Sequence, residues 1–364
     1  MINIASPLVG HDEIEAITKV LCSRVLAQGT ETEKFEQAFA SYIGTKYAIA
    51  TNSGTAALHV ALLASGIGEG DEVITSPFSF ISTANAILFC GAKPIFVDID
   101  ENTFNINPNL IREKITPRTK AILPVHLYGQ PCDMKEIINI CDEHNLILLE
   151  DACQAHGAEY AGKKVGSFGI GCFSFYPTKN MTTGEGGMIT TDNENIAEKA
   201  RMLRSHGESE RYVHEILGYN YRMTDMAAAL GICQLEKLDE FNRRRINNAE
   251  FLSGGVACIE GLIPPFVAPS VRHVFHQFTV RVGKKFILSR DELQHRLSEH
   301  GVASAIYYPL PIYRQPLYQK LGYDDNLPVS EKAAQEVLSL PVRPDLSEKE
   351  LGYIVESILS CARQ

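Results

Sequence analysis

The sequence has no excess of positive charge: 34 Lys and Arg stand against 44 Asp and Glu, a net charge of −10 over 364 residues. That balance argues against a general nucleic-acid or membrane-surface binder, whose partners are polyanions. No C-x-x-C occurs among its nine cysteines. The count is odd and most lie in apolar stretches, so neither a disulfide framework nor a metal site is expected, and reduced thiols of a cytoplasmic enzyme are the better reading. Met1–Gly10 lacks a basic segment followed by an apolar one, and no run approaches the about 20 apolar residues that a membrane-spanning helix needs. Repeats and low-complexity tracts are missing. So are G-x-x-x-x-G-K-[ST], G-x-G-x-x-G after a strand, H-E-x-x-H and G-x-S-x-G, which turns the reading away from nucleotide hydrolysis, common nicotinamide chemistry, zinc proteolysis and α/β-hydrolase chemistry. A hydrophobic content of 45% excludes a mostly disordered chain, and the length allows a sizeable core.

What is present is alternation. Tyr47–Thr51, Glu72–Thr75, Pro94–Asp98, Ala121–Val125 and Leu146–Leu149 are short apolar runs, and helical patterns fill Ser53–Ser65, Ile81–Cys90 and Asp133–His144 between them. Such alternation predicts βαβ units around a buried parallel sheet. Cys172–Phe175 and Met188–Thr191 read as two hairpin-like strands, and Asn193–Ser205 and Met223–Arg245 as helices. Leu252–Arg272, with Pro264, Pro265 and Pro269, reads as a connection. A strand at His276–Val282, a helix at Arg290–His300, a strand at Val302–Tyr307 and a terminal helix at Ser347–Cys361 follow. The expected organisation is a large α/β domain with an N-terminal helical segment over residues 1–250 and a small α+β domain over 251–364.

Three stretches at the ends of predicted strands carry chemistry. Thr51-Asn52-Ser53-Gly54-Thr55 opens a helix and exposes N–H groups and hydroxyls at its positive end, which suits a phosphate. An ordinary Asn or Ser cap has the same appearance. Glu150-Asp151-Ala152-Cys153-Gln154-Ala155-His156 puts a carboxylate where parallel sheets bind ligands, although a loop charge would look alike. In Gly166–Asn180, Lys179 stands between an aromatic strand and the glycine-rich Gly184-Glu185-Gly186-Gly187, an unusual setting for a residue type that is mostly solvated. A phosphate cradle, a carboxylate and a lysine on one sheet edge are together what pyridoxal 5′-phosphate requires: the lysine bonds to its aldehyde and the carboxylate keeps its ring nitrogen protonated. Phe78 or Phe80 would cover the ring, the other being core.

The segments NSGTAAL, SFISTANAI, VHLYGQPCDM, LEDACQAHGAEYAGKKVGSFG, CFSFYPTKNMTTGEGGMITT and LGYNYRMTDMAAALG resemble the DegT-type sugar aminotransferases, a fold-type-I pyridoxal-phosphate family. The likeness extends from the N-terminal region to YYPLPIYRQPLY near residue 318. It implies a large mixed, mostly parallel sheet, Lys179 as the cofactor-bonding lysine and general base, Asp151 on the pyridine nitrogen and Gln154 near the ring hydroxyl. By the same likeness, Gly54, Thr55 and Ser174 would hold the phosphate and Phe80 would stack on the ring. Asn220 of the GYNYRM motif would reach the cofactor of a neighbouring subunit, so a homodimer with shared sites is implied; Gly218-Tyr219-Asn220 is also good turn chemistry. The implied reaction is ping-pong transfer of nitrogen from an amino donor, L-glutamate, to a keto group at C3 or C4 of a nucleotide-linked sugar, for amino-sugar or surface-glycan biosynthesis.

Arg211, Arg222 and Arg314 are candidates for the nucleotide diphosphate, each with a solvated or salt-bridged alternative. Where the family often has a His-Tyr pair before Pro and a later His, this chain has Tyr307-Tyr308-Pro309 and Tyr313; Tyr307 and Tyr308 are kept as substrate candidates, with packing as their alternative. Two other outcomes stand beside transamination. Relatives that dehydrate sugars carry His at the lysine position, so Lys179 speaks against that branch. A non-enzymatic regulator would leave the Lys179, Asp151 and Ser53-Gly54-Thr55 set unexplained.

Overall fold

The computed structural model describes residues 1–362. Its centre is a seven-stranded sheet in the order Tyr47–Thr51, Gly187–Thr191, Ile170–Ser174, Ile147–Asp151, Thr119–Leu123, Glu72–Thr75, Lys93–Phe96. Gly187–Thr191 pairs antiparallel with both of its neighbours, and the remaining adjacent pairs are parallel. One reversed strand among seven therefore makes the sheet mixed and mostly parallel, and it leaves six C-terminal strand ends on one edge. Every residue of Glu72–Thr75 and Gly187–Thr191 is buried, as strands covered on both faces must be.

The helix Gly54–Ala64 lies inside this construction and is apolar around its whole circumference, with nine of its residues buried. Ser53 caps it, its hydroxyl accepting from Ala56 N–H at 3.1 Å. On the outer side, His11–Ser23 and Thr30–Ile43 pack against the long helix Asp225–Ala257. Among the described residues no helix is long and apolar enough to cross a membrane.

That long helix differs from the reading that ended it at Arg245 and began a loose connection at Leu252. It continues for 33 residues to Ala257, because Ala249, Leu252 and Val256 extend the apolar stripe and are buried. Gly255 sits where a Cβ would come within 2.6 Å of Val355 Cγ2, so the glycine that weakens local helix propensity permits close packing against the terminal helix Glu348–Ala362. The C-terminal part is an antiparallel sheet of Leu262–Ile263, Phe278–Val282 and Val337–Leu340 flanked by Arg290–Glu299 and Glu348–Ala362. Val302–Tyr307, expected as a strand, is not one. It makes only isolated bridges, Val302 to Ile2 and Ala305 to Ser339, and these two pairings to different partners do not form a ladder.

Candidate active site

Asp151 ends the Ile147–Asp151 strand and Glu150 precedes it, so the two carboxylates point to opposite faces of the sheet. Glu150 is fully buried and accepts from Gly166 N–H at 2.8 Å, Phe168 N–H at 2.8 Å and Gly169 N–H at 3.0 Å. His126 completes its shell at 3.1 Å. Because His126 Nδ1 accepts from Cys132 N–H, the ring's proton sits on Nε2, facing Glu150. Asp151 accepts from Thr83 Oγ1 at 2.7 Å and from Cys153 N–H at 3.2 Å and otherwise faces a cavity of about 820 Å³.

The opposite wall of that cavity is the start of the Gly54–Ala64 helix. Ser53, Gly54, Thr55 and Ser174 line it. A Cβ on Gly54 would sit 2.5 Å from Ser174 Cβ, so only glycine lets the helix start press against the serine. The Ala56 N–H is taken by the Ser53 cap, which leaves the N–H groups of Gly54 and Thr55, both cavity-lining residues, without a partner within the helix at its positive end. Thr55 Oγ1 donates to Ser82 Oγ at 3.0 Å, which orients its side chain on the same wall.

Lys179 leaves a turn closed by its own N–H donating to the Tyr176 carbonyl at 2.9 Å. It lines the cavity, and desolvation there lowers its ammonium below the ordinary lysine range, with Cys153 and Asp151 pulling the other way. Two buried histidines stand near it. His156, between Phe173 and Phe175 at ring distances of 5.5 and 5.7 Å, is pushed down to about 3 by burial and by Lys179. His276 is pushed well down by burial, Lys179, Arg245 and His156. Both rings are therefore neutral beside the lysine.

Gln154 bridges two elements: its Oε1 accepts from Tyr128 N–H at 3.0 Å and its Nε2 donates to Tyr308 Oη at 3.2 Å. Burial, followed by Asp151, raises the Tyr308 phenol, which stays protonated. Phe80 is 57% exposed and tilts toward Tyr308 at 6.3 Å. Phe78, by contrast, is fully buried and belongs to the core. Gly54, Thr55, Phe80, Asp151, Gln154, Ser174, Lys179, Tyr307 and Tyr308 thus share one cavity.

Four expected residues lie outside this wall. Arg211 is exposed at the turn of the Glu208–Glu210 and Val213–His214 hairpin, its guanidinium over the Tyr212 ring at 5.1 Å. Asn220 is exposed, its carbonyl 3.5 Å from Asn52 Nδ2. Arg222 is half-buried. Arg314 is engaged by Glu331 at 2.7 Å, which also accepts from Tyr313 Oη at 2.9 Å, so the salt-bridged alternative describes it. Thr83, Cys153 and His276 line the cavity without having been singled out as site residues. Thr83 and Cys153 stand inside quoted motifs, whereas His276 arrives from the edge of a strand a hundred residues away and carries no local signal.

These residues fit pyridoxal 5′-phosphate: a helix start that a Cβ at Gly54 would obstruct, a buried carboxylate opposite, and a desolvated amine on the wall between them. A sequence profile described as the DegT/DnrJ/EryC1/StrS aminotransferase family matches residues 7–359. A pleiotropic regulatory protein of Geobacillus stearothermophilus is 44% identical over 95% of this chain and 93% of that protein. A GDP-perosamine synthase of Caulobacter vibrioides is 41% identical, with 98% and 97% covered. The solved structure of NtdA from Bacillus subtilis with bound cofactor PMP has a TM-score of 0.90 at 35% identity, covering 98% of this chain and 83% of that one.

Proposed function

The chain belongs to the DegT/DnrJ/EryC1/StrS aminotransferase family, and from that premise we propose that it moves an amino group from an amino acid to the keto carbon of a nucleotide-linked sugar, with pyridoxal 5′-phosphate as cofactor. The observation that carries this is the Lys179 amine, desolvated and in one cavity with Asp151 and the Ser53–Thr55 helix start. When bound, the cofactor supplies an aldehyde for an amine and a ring that withdraws electrons from the carbon being deprotonated.

The protein's part is to bind, orient and move protons. Ser53, Gly54, Thr55 and Ser174 would hold the phosphate at the positive end of the helix. The Asp151 carboxylate, oriented by Thr83, would keep a proton on the pyridine nitrogen, and Gln154 would meet the ring hydroxyl while Phe80 would cover the ring. Lys179 Nζ takes the proton from the donor's Cα and returns one to the former keto carbon of the sugar. Its desolvated setting favours the neutral amine that a base must be.

L-Glutamate is the donor we assign. Residues 1–250 hold the cofactor and 251–364 close over it, His276, Tyr307 and Tyr308 coming from the latter. Asn220, exposed, serves the neighbouring subunit of a cytoplasmic homodimer in this reading, and Arg211, also exposed, remains a contact for the nucleotide diphosphate. A regulator without catalysis would have no use for a lysine desolvated beside a carboxylate, even though one relative carries a regulatory name.

The test is optical and kinetic. Protein supplied with pyridoxal 5′-phosphate turns yellow, retains the group covalently after borohydride, and turns over one keto nucleotide sugar from a panel with L-glutamate. Lys179→Ala removes the borohydride-fixed adduct and at least about 10³-fold of turnover. A Lys179→Ala protein that keeps both sinks the proposal.

A further inference from the structure

Tyr176 and Glu185 are among the cavity-lining residues that have no part in this mechanism. Tyr176 follows the Ile170–Ser174 strand and Glu185 precedes the Gly187–Thr191 strand. Phe175 N–H donates to the Gly186 carbonyl at 2.9 Å, which continues the ladder and sets their neighbours, Tyr176 and Glu185, across the hairpin from one another. Both line the cavity and both are exposed, Tyr176 at 48%. Among the described residues neither the Tyr176 hydroxyl nor the Glu185 carboxylate has a hydrogen-bond or ion-pair partner, although the Tyr176 amide and the Glu185 carbonyl are both used. A half-bare aromatic ring on the wall of an open cavity is a surface for a ligand rather than core packing.

What that ligand is follows from position and charge. The Lys179 N–H bonds to the Tyr176 carbonyl, so the two residues leave the same turn, and both line the one cavity. The keto-bearing sugar must enter that cavity to meet the amine, whereas a nucleobase is held off from it by the length of a diphosphate. A diphosphate beside Glu185 would meet like charge. A hexose suits both partners: its axial C–H groups present an apolar face to an aromatic ring, and its hydroxyls need acceptors that a carboxylate supplies. Tyr307 faces the same space, its phenol pushed up by burial and by Tyr176.

Resting on the sugar-aminotransferase reading above, we propose that Tyr176 and Glu185 form the recognition rim for the keto-bearing hexose, Tyr176 against its C–H face and Glu185 accepting from its hydroxyls. They determine which sugar is admitted and take no part in proton transfer.

Calorimetric binding to the cofactor-loaded protein of GDP-perosamine and of a dTDP-linked and a UDP-linked 3-amino sugar, each against its own nucleoside diphosphate, tests this, alongside bleaching of the chromophore by L-glutamate in the absence of sugar. For the amino sugar that the wild type binds best, Tyr176→Ala weakens affinity by about tenfold and Glu185→Gln by about threefold, with affinity for the matching nucleoside diphosphate and the glutamate-driven bleaching rate holding within about twofold. Tyr176→Phe, which keeps the ring, restores sugar affinity. Equal losses for amino sugar and nucleoside diphosphate, an unaltered Tyr176→Ala, or wild-type protein that binds every amino sugar no better than its nucleoside diphosphate would each overturn the rim. Wild-type protein that binds none of these compounds and is not bleached by glutamate overturns the sugar-aminotransferase reading itself.

Discussion

Glu150 and Asp151 are one residue apart and chemically almost the same, yet the molecule uses them in opposite ways. Glu150 is enclosed by three backbone donors and His126, so all of its acceptor capacity goes into fixing the loop at Gly166–Gly169 against the sheet. Asp151 receives one hydroxyl and one N–H and keeps its remaining capacity for the cavity. A saturated carboxylate holds structure, and an incompletely saturated one at a strand end is available for chemistry. The two-residue period of the strand is what separates them: a one-residue slip would exchange their roles.

Neutralising each in turn gives the largest predicted effects. Asp151→Asn keeps size and the Thr83 contact but cannot hold a proton on the ring nitrogen as a carboxylate does, so turnover falls by about 10²–10⁴-fold while the melting temperature hardly moves. Glu150→Gln sets an NH₂ group among donors that need an acceptor. It costs about 3–5 kcal/mol of stability in denaturant unfolding, with turnover per folded molecule largely kept. If Glu150→Gln lost activity at full stability, or Asp151→Asn unfolded at full activity, the division between them would be wrong.

A smaller effect refines the open side. Thr83 is the one hydroxyl on Asp151, at 2.7 Å, and Thr83→Val keeps its shape without the bond. Turnover should fall by about tenfold, the worth of one hydrogen bond to a charged acceptor, with no change in the glutamate KM. A drop as large as that of Asp151→Asn would mean that Thr83 holds the carboxylate in place entirely.

The same contrast explains what could be read in advance. Strand ends, the helix start at Ser53 and the lysine between glycines were legible because their signals are local: short apolar runs, a cap residue, a charged residue out of its usual context. That Asp151 rather than Glu150 meets the cavity rested on resemblance, since alternation separates two faces without saying which is open. His276 was beyond reach, because its place beside Lys179 exists only once the C-terminal part folds back onto the sheet edge. The continuation of the long helix to Ala257 was hidden by Gly254 and Gly255, whose poor helix propensity is outweighed by the close packing of Gly255 against Val355 and by burial of Leu252 and Val256.

Between the saturated carboxylate and the open one lies a third condition, a titratable ring kept uncharged. His156 is buried against Phe173 and Phe175 and held down to about 3, whereas an unfolded histidine titrates near 6.5. In that interval the unfolded chain binds a proton that the native chain does not, so stability falls as pH drops from about 6.5 toward 3, by about 1.4 kcal/mol per pH unit for each such group. His273, also near 3, adds its own share. Glu13, held near 2 through Lys237, Gly10 and Gln234 against the opposing effect of burial, loses its contribution only as pH falls below about 4.5. Urea unfolding at pH 7 and pH 5 therefore isolates the histidines. His156→Gln should lose about 2 kcal/mol less than wild type between those two conditions, whatever its stability at pH 7. An unchanged difference would mean that His156 takes up its proton in the folded protein, and that burial, with Lys179 beside it, does not keep the ring neutral.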